Sequence, residues 1–365
     1  MTATLDALTL QGVPIGLPEL AAGTIALSLN AYVLMGGADF GGGAWDLLAR
    51  GPRRDAQRRL IADAIAPIWE ANHVWLILVV VLCFTCFPRA FAQLATVLHV
   101  PLTLMLVGVV LRGSAFVFRA YDTRHDAMQR RWGVPFAVAS LVTPILLGVA
   151  LAAVASGAVG RVDVRAGGFV ERFVTPWATS FGFAVGALVL ALFAFLAATY
   201  LTVEASASAE NNRASGLLAD DFRRYAYAAQ GATLITAVLA YALAPDDSAV
   251  REVVGGSAWQ ITLQALTASF AIASLVALAL RGWRIARAAA QAQASCMLWG
   301  WAWAQFPQVI PPTGTAAALA APPLTLLLAL GALALGTAIL LPSFVYLLRV
   351  FKGQEIAASG RGGSA

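Results

Sequence analysis

The sequence predicts an all-α, polytopic membrane protein, and its composition is the first reason. Hydrophobic residues make up 60% of the 365 residues and charged residues only 12%, and the mean hydropathy is +0.77. A soluble domain carries about 25% charged residues, so an ordinary soluble protein is excluded. The second reason is that long apolar runs recur throughout the chain. We therefore interpret residues 1–365 as a single integral membrane domain.

Nine of these runs approach the length of about 20 apolar residues that a membrane-spanning helix requires. They lie at approximately 17–38, 60–87, 91–118, 134–157, 176–203, 223–244, 258–281, 294–311 and 323–348. The first ten residues lack a basic segment, so we expect no cleaved signal peptide and expect the first span to direct insertion.

Positive charge predicts the orientation of these spans, because cytoplasmic segments carry the excess of Lys and Arg. With the N-terminus outside, 19 of the 24 basic residues fall in inner segments, Arg112 among them, and five in outer segments. We predict a periplasmic N-terminus and a cytoplasmic C-terminus. The basic residues form no dense tract, so we expect no nucleic-acid partner.

The eighth run is irregular. Tryptophans at 299, 301 and 303 precede the segment AQFPQVIPP, whose prolines interrupt a helix. One interpretation is the discontinuous helix of a transporter. We favour the other, an aromatic belt at the membrane interface that ends at a proline.

The second run carries polar and aromatic groups into the membrane: Asp63, Trp69, Glu70, Asn72 and His73. An ionisable group near the bilayer centre costs about 2.5–3.5 kcal/mol on insertion scales, so it needs a partner or a task. This span enters from the cytoplasm near Arg59, so we expect Glu70 about 16 Å deep, close to the midplane. Asp63 then lies two turns nearer the cytoplasm on the same face, and His73 is the neighbour of Glu70.

Asp39 supplies a second buried carboxylate, near the inner end of the first span. Glycines surround it at 36, 37, 41, 42 and 43, where they allow close helix contacts or unwinding of the helix. Together Asp39 and Glu70 step from the cytoplasmic side to the midplane, as a proton relay would. A structural ion pair, with either Arg112 or a charge of a partner subunit, and binding of a transported substrate remain alternatives. Asp46 and Glu204 are expected at the headgroup level.

Two histidines raise a separate possibility. His73 and His99 lie on consecutive predicted spans at similar distances from the inner ends, so they are candidates to ligate one haem or metal ion. Polar contacts between helices are the commoner explanation of such residues.

Several segments resemble subunit II of the cytochrome bd-type quinol oxidases, including the cyanide-insensitive branch. They are GGADFGGGAWDLL, RGPRRDAQRRL, IAPIWEANHVWLI, FPRAFA and VLRGSAFVFR, between residues 31 and about 120, and the later GWAWAQFPQVIPP. The resemblance implies two four-helix bundles plus a peripheral helix. It also implies a subunit of an enzyme in the bacterial inner membrane that oxidises quinol and reduces oxygen to water. Haems b558, b595 and d are expected in the partner subunit I, with no cofactor or metal bound by this chain.

The resemblance also implies roles for particular residues. Asp39 and Glu70 match acidic positions implicated in the family's cytoplasmic proton pathway, although some relatives carry aspartate in place of Glu70. The supporting residues expected around them are Trp69, Asn72, His73, Asp63 and Arg112. A small single-span subunit and a structural quinone or lipid are compatible with the resemblance. The competing functions are a secondary transporter and a bis-histidine cytochrome b.

Overall fold

The computed structural model describes residues 9–10, 13–66, 69–121, 126–209, 213–248, 250–251, 257–312 and 314–361. Its helices are α1 (Leu17–Leu48), α2 (Arg54–Ile65), α3 (Trp69–Cys86), α4 (Pro88–Val97), α5 (His99–Tyr121), α6 (Asp126–Ala155), α7 (Ala158–Arg161), α8 (Phe169–Phe173), α9 (Ser180–Ala209), α10 (Arg213–Leu243), α11 (Ala258–Ala279), α12 (Trp283–Gln305), α13 (Ala316–Leu319) and α14 (Pro323–Arg361). Two antiparallel hairpins join β1 (Thr9–Leu10) to β2 (Val13–Pro14) and β3 (Gln308–Ile310) to β4 (Gly314–Thr315).

The predicted all-α membrane architecture is confirmed in its coarse form. Within the described ranges, seven helices are long and apolar enough to cross a membrane: α1, α5, α6, α9, α10, α11 and α14. An eighth span is counted if residues 71–86 and 88–97, which meet at an angle of 119°, form one crossing.

The predicted second span, 60–87, is wrong as a single helix. The structure divides it into α2 and α3, and Pro67 falls between them in the sequence, where a proline removes a helical hydrogen-bond donor. The buried positions of α2 are 57, 61, 64 and 65, which is the pattern of a surface helix with one packed face. Glu70 therefore lies in the first turn of α3, and its predicted depth of about 16 Å, counted along one helix from Arg59, does not hold.

The third and eighth predicted spans also differ from the structure. Residues 91–118 cover most of α4, which begins at Pro88, and of α5, which begins at His99. The eighth run, 294–311, corresponds to the second half of α12 followed by the β3–β4 hairpin. Helix α12 starts earlier than this run, at Trp283. Residues 283–293 are helical, but their two arginines and two glutamines make this part too polar to be recognised as a span from the sequence.

Helix α1 occupies a central position, since it contacts α3, α6 and α9. Its glycines are sites of close approach, while the helix itself remains continuous. A Cβ on residue 41 would lie 2.0 Å from the main-chain oxygen of Phe193 in α9, and one on residue 37 would lie 2.7 Å from Leu196. Small residues at these positions allow the two backbones to pack directly.

Candidate functional site

The centre of the site is an ion pair between Asp39 of α1 and Arg112 of α5. Arg112 Nη1 donates a 2.7 Å hydrogen bond to Asp39 Oδ2, and Nη2 lies 2.6 Å from Oδ1. Nη2 also donates to the main-chain oxygen of Asp39 at 2.8 Å. Asp39 is 0% exposed and Arg112 is 1% exposed. This is the ion pair that the sequence left open as an alternative to a relay.

Two further helices contribute polar groups to this pair. Asn72 of α3 donates from Nδ2 to Asp39 Oδ2 at 2.6 Å. Arg112 Nε donates to Ser140 Oγ of α6 at 3.1 Å, and this hydroxyl donates to the main-chain oxygen of Phe136 at 2.7 Å. Four helices therefore meet at one buried polar cluster, defined by Asp39, Asn72, Arg112 and Ser140.

Aromatic rings cover the guanidinium group. Arg112 Cζ lies 4.7 Å from the ring centroid of Phe40 and 5.0 Å from that of Phe136. A cation over an aromatic face is attracted by the ring, most strongly when water is excluded. The rings and the hydrogen bonds together offset the high cost of placing two charges in an apolar interior. Arg112 is thus buried among the helices. The sequence analysis counted it among the basic residues of the inner segments, but it is not a charge of a cytoplasmic loop.

The residues around Glu70 have different surroundings. The side chain of Glu70 lies outside the described residues, so only its place in the first turn of α3 is known. Trp69 packs on Phe116 of α5, with ring centroids 5.6 Å apart. His73 Nδ1 lies 2.7 Å from the main-chain oxygen of Trp69, within its own helix. Asp63 lies on the exposed face of α2, and its predicted shared face with Glu70 involves a side chain outside the described residues.

The proposed pairing of His73 with His99 is wrong. Trp69 lies against α5 at Gly113, because a Cβ there would be 3.4 Å from the indole ring. His99 is at the other end of α5, about 21 Å along the helix axis from that contact. It packs instead on Phe173, with ring centroids 4.9 Å apart. Among the described residues, no group of three His, Cys, Asp or Glu side chains is arranged to hold a metal ion.

Ion pairs also join α2 to the bundle. Arg53, just before α2, makes a bidentate contact with Asp221 of α10, at 2.7 Å and 2.6 Å, and Gln57 donates to the same carboxylate at 2.9 Å. The hydrogen bond to Asp221 raises the pKa of the Arg53 guanidinium. Arg58 of α2 donates to the main-chain oxygen of Asp46 at 3.1 Å.

Sequence reasoning missed three residues of this region. Ser140 gave no signal, because a serine within an apolar helix usually bonds its own backbone. Asp46, expected at the headgroup level, is only 4% exposed. Tyr32 is 1% exposed. The spacing of 32, 39 and 46 was a detectable signal, since residues seven apart share a helix face.

Comparisons with known proteins agree with the architecture. A family model described as "Cytochrome bd terminal oxidase subunit II" matches residues 17–351. The chain is 27% identical over 154 residues to cytochrome bd ubiquinol oxidase subunit 2 of Bacillus subtilis, covering 42% of this chain and 44% of that protein. It is 26% identical over 149 residues to cytochrome bd-I ubiquinol oxidase subunit 2 of Escherichia coli K12, covering 41% and 39%. These matches thus span less than half the length of either relative.

A solved structure supports the fold independently. The bd oxidase from Geobacillus thermodenitrificans contains a chain that superposes with a TM-score of 0.70 at 19% identity, covering 92% of this chain and 99% of that one.

Proposed function

The chain belongs to the cytochrome bd terminal oxidase subunit II family, and on this premise we propose that it serves a quinol:oxygen oxidoreductase of the bacterial inner membrane. Its partner is the haem-bearing subunit I, which carries haems b558, b595 and d. A small single-span subunit, membrane lipids and a structural quinone or lipid are further candidate partners. The complex oxidises quinol and reduces oxygen to water, and this chain stabilises subunit I without binding haem itself.

The proposed task of this chain within the complex is to carry protons from the cytoplasm toward subunit I. The observation that carries this proposal is the buried carboxylate of Asp39, held inside the membrane region by Arg112 and Asn72. A carboxylate at this depth is costly and is typical of proton pathways. Arg112 compensates the charge of Asp39 while an oxygen atom remains able to accept a proton.

Glu70 is the second relay group in this proposal. It lies two residues from Asn72, which contacts Asp39 directly. Trp69 anchors the start of α3 on α5, and His73 is bonded to the same turn, so both would position the Glu70 backbone. The exposed carboxylate of Asp63 would collect protons at the cytoplasmic surface.

The membrane topology proposed with this function has nine spans: α1, α3, α5, α6, α9, α10, α11, α12 and α14. Contacts support two groups of four, α1 with α3, α5 and α6, and α9 with α10, α11 and α12, with α14 peripheral against α1 and α3. The outer ends would meet where Ala321 N donates to Cys86 O at 2.8 Å. The inner ends would meet where Tyr200 Oη donates to Ala64 O at 3.1 Å.

Substitution of Glu70 by Gln in the assembled complex tests the relay. It keeps the shape of the side chain and removes the group that exchanges a proton, so we expect quinol-driven oxygen consumption to fall by about a hundredfold with an unchanged haem spectrum. Glu171→Gln is the control, because Glu171 lies in the exposed helix α8. Normal turnover of Glu70→Gln with intact haems would refute the relay role, and loss of the haem spectrum would show a structural role.

One observation favours the transporter alternative, namely the sharp bend between α3 and α4. A transporter would move a solute when this chain alone is reconstituted in liposomes. Co-purification with a haem-bearing partner, and no transport by the isolated chain, is the result expected for the oxidase subunit.

A further inference from the structure

One face of α1 carries a continuous series of proton-carrying side chains and glycines. The residues are Tyr32, Gly36, Asp39, Gly43 and Asp46, spaced alternately by four and three, so they lie along a single face of the helix. All five are buried. The three polar side chains are 1%, 0% and 4% exposed, in chain order. Only Asp39 has a role in the function proposed above.

The two glycines place hydroxyl groups on either side of Asp39. The ring of Tyr32 lies over Gly36, where a Cβ would be 3.3 Å from Tyr32 Cε2. Residues four apart are neighbours on a helix surface, so the ring packs at the position that lies between Tyr32 and Asp39 on this face. At Gly43, a Cβ would be 2.1 Å from Ser140 Oγ, so the serine hydroxyl occupies the space between Asp39 and Asp46.

The contacts of these groups suit proton exchange. Ser140 Oγ accepts from Arg112 and donates to a carbonyl oxygen, so it is already part of a hydrogen-bond chain that reaches Asp39. The phenol of Tyr32 is close enough to interact electrostatically with both Asp39 and Arg112. A hydroxyl that can both accept and donate is the group that a proton path needs.

An unpaired acceptor lies at the middle of the series. Asn72 is 0% exposed and gives its amide hydrogen to Asp39 Oδ2, while its own Oδ1 has no hydrogen-bond partner among the described residues. A buried acceptor beside a carboxylate is suited to a donor such as a water molecule or a transiently protonated Asp39.

We propose that this face of α1 carries the proton path on both sides of Asp39, with Asp46 as an uptake group in addition to Asp63, Ser140 as the bridge to Asp39, and Tyr32 as the group that receives protons beyond Asp39. The proposal rests on the function proposed above and adds Asp46, Ser140 and Tyr32 to it. Arg58, whose Nε is 3.8 Å from Asp46 Oδ1, marks the half-exposed cytoplasmic end. Neighbouring carboxyl and phenol positions are about 10 Å apart along the axis, so water completes the steps between side chains.

Each step transfers one proton from an O–H donor to an acceptor oxygen. One O–H bond breaks and one forms, and each residue regains its starting state when the next proton arrives. No oxidant, reductant or other reactant is consumed by the path.

The test uses the assembled complex with Tyr32→Phe and Asp46→Asn, each of which removes an exchangeable proton with little change in volume. Oxygen consumption with quinol, its solvent deuterium isotope effect and the haem spectrum are measured. We expect each variant to lower turnover by about tenfold or more and to raise the isotope effect, because proton transfer becomes rate-limiting. Asp46→Glu, which keeps a carboxylate, is expected to restore most of the turnover.

Matched controls are Tyr227→Phe and Asp220→Asn. Tyr227 is a partly exposed phenol on α10 that donates to Leu275 O, and Asp220 pairs with Arg223 and Arg281. Turnover and isotope effects of Tyr32→Phe and Asp46→Asn equal to those of the controls would overturn the path, as would loss of the haem spectrum in either variant. Asp39→Asn separates the two proposals. If Asp39→Asn lowers turnover while Tyr32→Phe and Asp46→Asn do not, the relay through Asp39 is supported and this path is rejected. If Asp39→Asn also leaves turnover unchanged with intact haems, the relay is rejected together with the path.

Discussion

At the scale of single residues, the buried pair of Asp39 and Arg112 shows how a charged group is maintained inside an apolar bundle. The guanidinium donates to a carboxylate, a main-chain oxygen and a serine hydroxyl, and aromatic rings cover its faces. Such a pair is weak support for stability when compared with apolar residues, but removing one partner leaves an uncompensated charge. The cluster is therefore sensitive to single substitutions.

Substitution of Arg112 by Met is expected to destabilise the chain by about 3–5 kcal/mol, because Asp39 is left buried without its cation. The measurement is the thermal unfolding midpoint of the purified complex in detergent. The double variant Arg112→Met/Asp39→Leu should recover part of the loss, since no charge then remains buried.

The control for this prediction is Arg281→Met. Arg281 is 62% exposed and lies 3.3 Å from Asp220, and exposed ion pairs contribute about 0–1 kcal/mol. Equal shifts of the midpoint for Arg112→Met and Arg281→Met would contradict the argument that burial makes the first pair critical.

At the scale of helices, α1 determines how the bundle is assembled. Its buried glycines allow α9 and α6 to approach its backbone, and Trp45 Nε1 donates to Ala194 O of α9 at 2.8 Å. Helices within a lipid bilayer gain little from apolar burial alone, so close packing at small residues carries much of their association. The same close packing brings the polar groups of four helices to one point.

Gly41→Ala is expected to destabilise the helix bundle by about 1–3 kcal/mol, the typical cost of overpacking, because its Cβ would collide with backbone atoms of Phe193. Gly23→Ala in the same helix is the matched control, since nothing lies within 4 Å of a Cβ there. Thermal unfolding of both variants compares them. A Gly41→Ala protein as stable as Gly23→Ala would show that α1 and α9 separate easily.

At the scale of the whole molecule, the number of membrane crossings decides which groups face the cytoplasm. Seven of the described helices meet the criteria of length and apolar composition, and α3 and α12 raise the proposed number to nine. Helix α12 is the decisive one, because its 23 residues suffice to cross the membrane but its first half carries two arginines and two glutamines.

Single cysteines placed in a chain without its three native cysteines test this topology. We expect a membrane-impermeant maleimide to label Arg165→Cys and Ala317→Cys in spheroplasts, and Arg281→Cys only after permeabilisation, because nine spans place residue 281 inside. All three positions are exposed. Equal accessibility of residues 281 and 317 would show that α12 does not cross, and an inaccessible residue 165 would exclude α3 as a span.

The sequence by itself determined the class of protein and most of the helices, and it singled out three of the four residues of the buried cluster. Hydropathy suffices for this, because every backbone polar group in lipid must be bonded internally, which favours helices. The motif around Asp39 and the acid at position 70 were visible as costly residues in an apolar context. The positions of Arg112 and Asn72 as supporting residues were also proposed from the sequence.

Only the tertiary structure decided how these residues are used. It divided the predicted second span into α2 and α3, which changed the position of Glu70, and it placed His73 and His99 at opposite ends of adjacent helices. It paired Asp39 with Arg112 and brought Ser140 into the gap over Gly43. The physical reason is that contacts between helices far apart in the sequence depend on the rotation of each helix about its axis and on its depth in the membrane. Side-chain packing and glycine positions set both, whereas hydropathy indicates only that a segment is apolar enough to lie in the membrane.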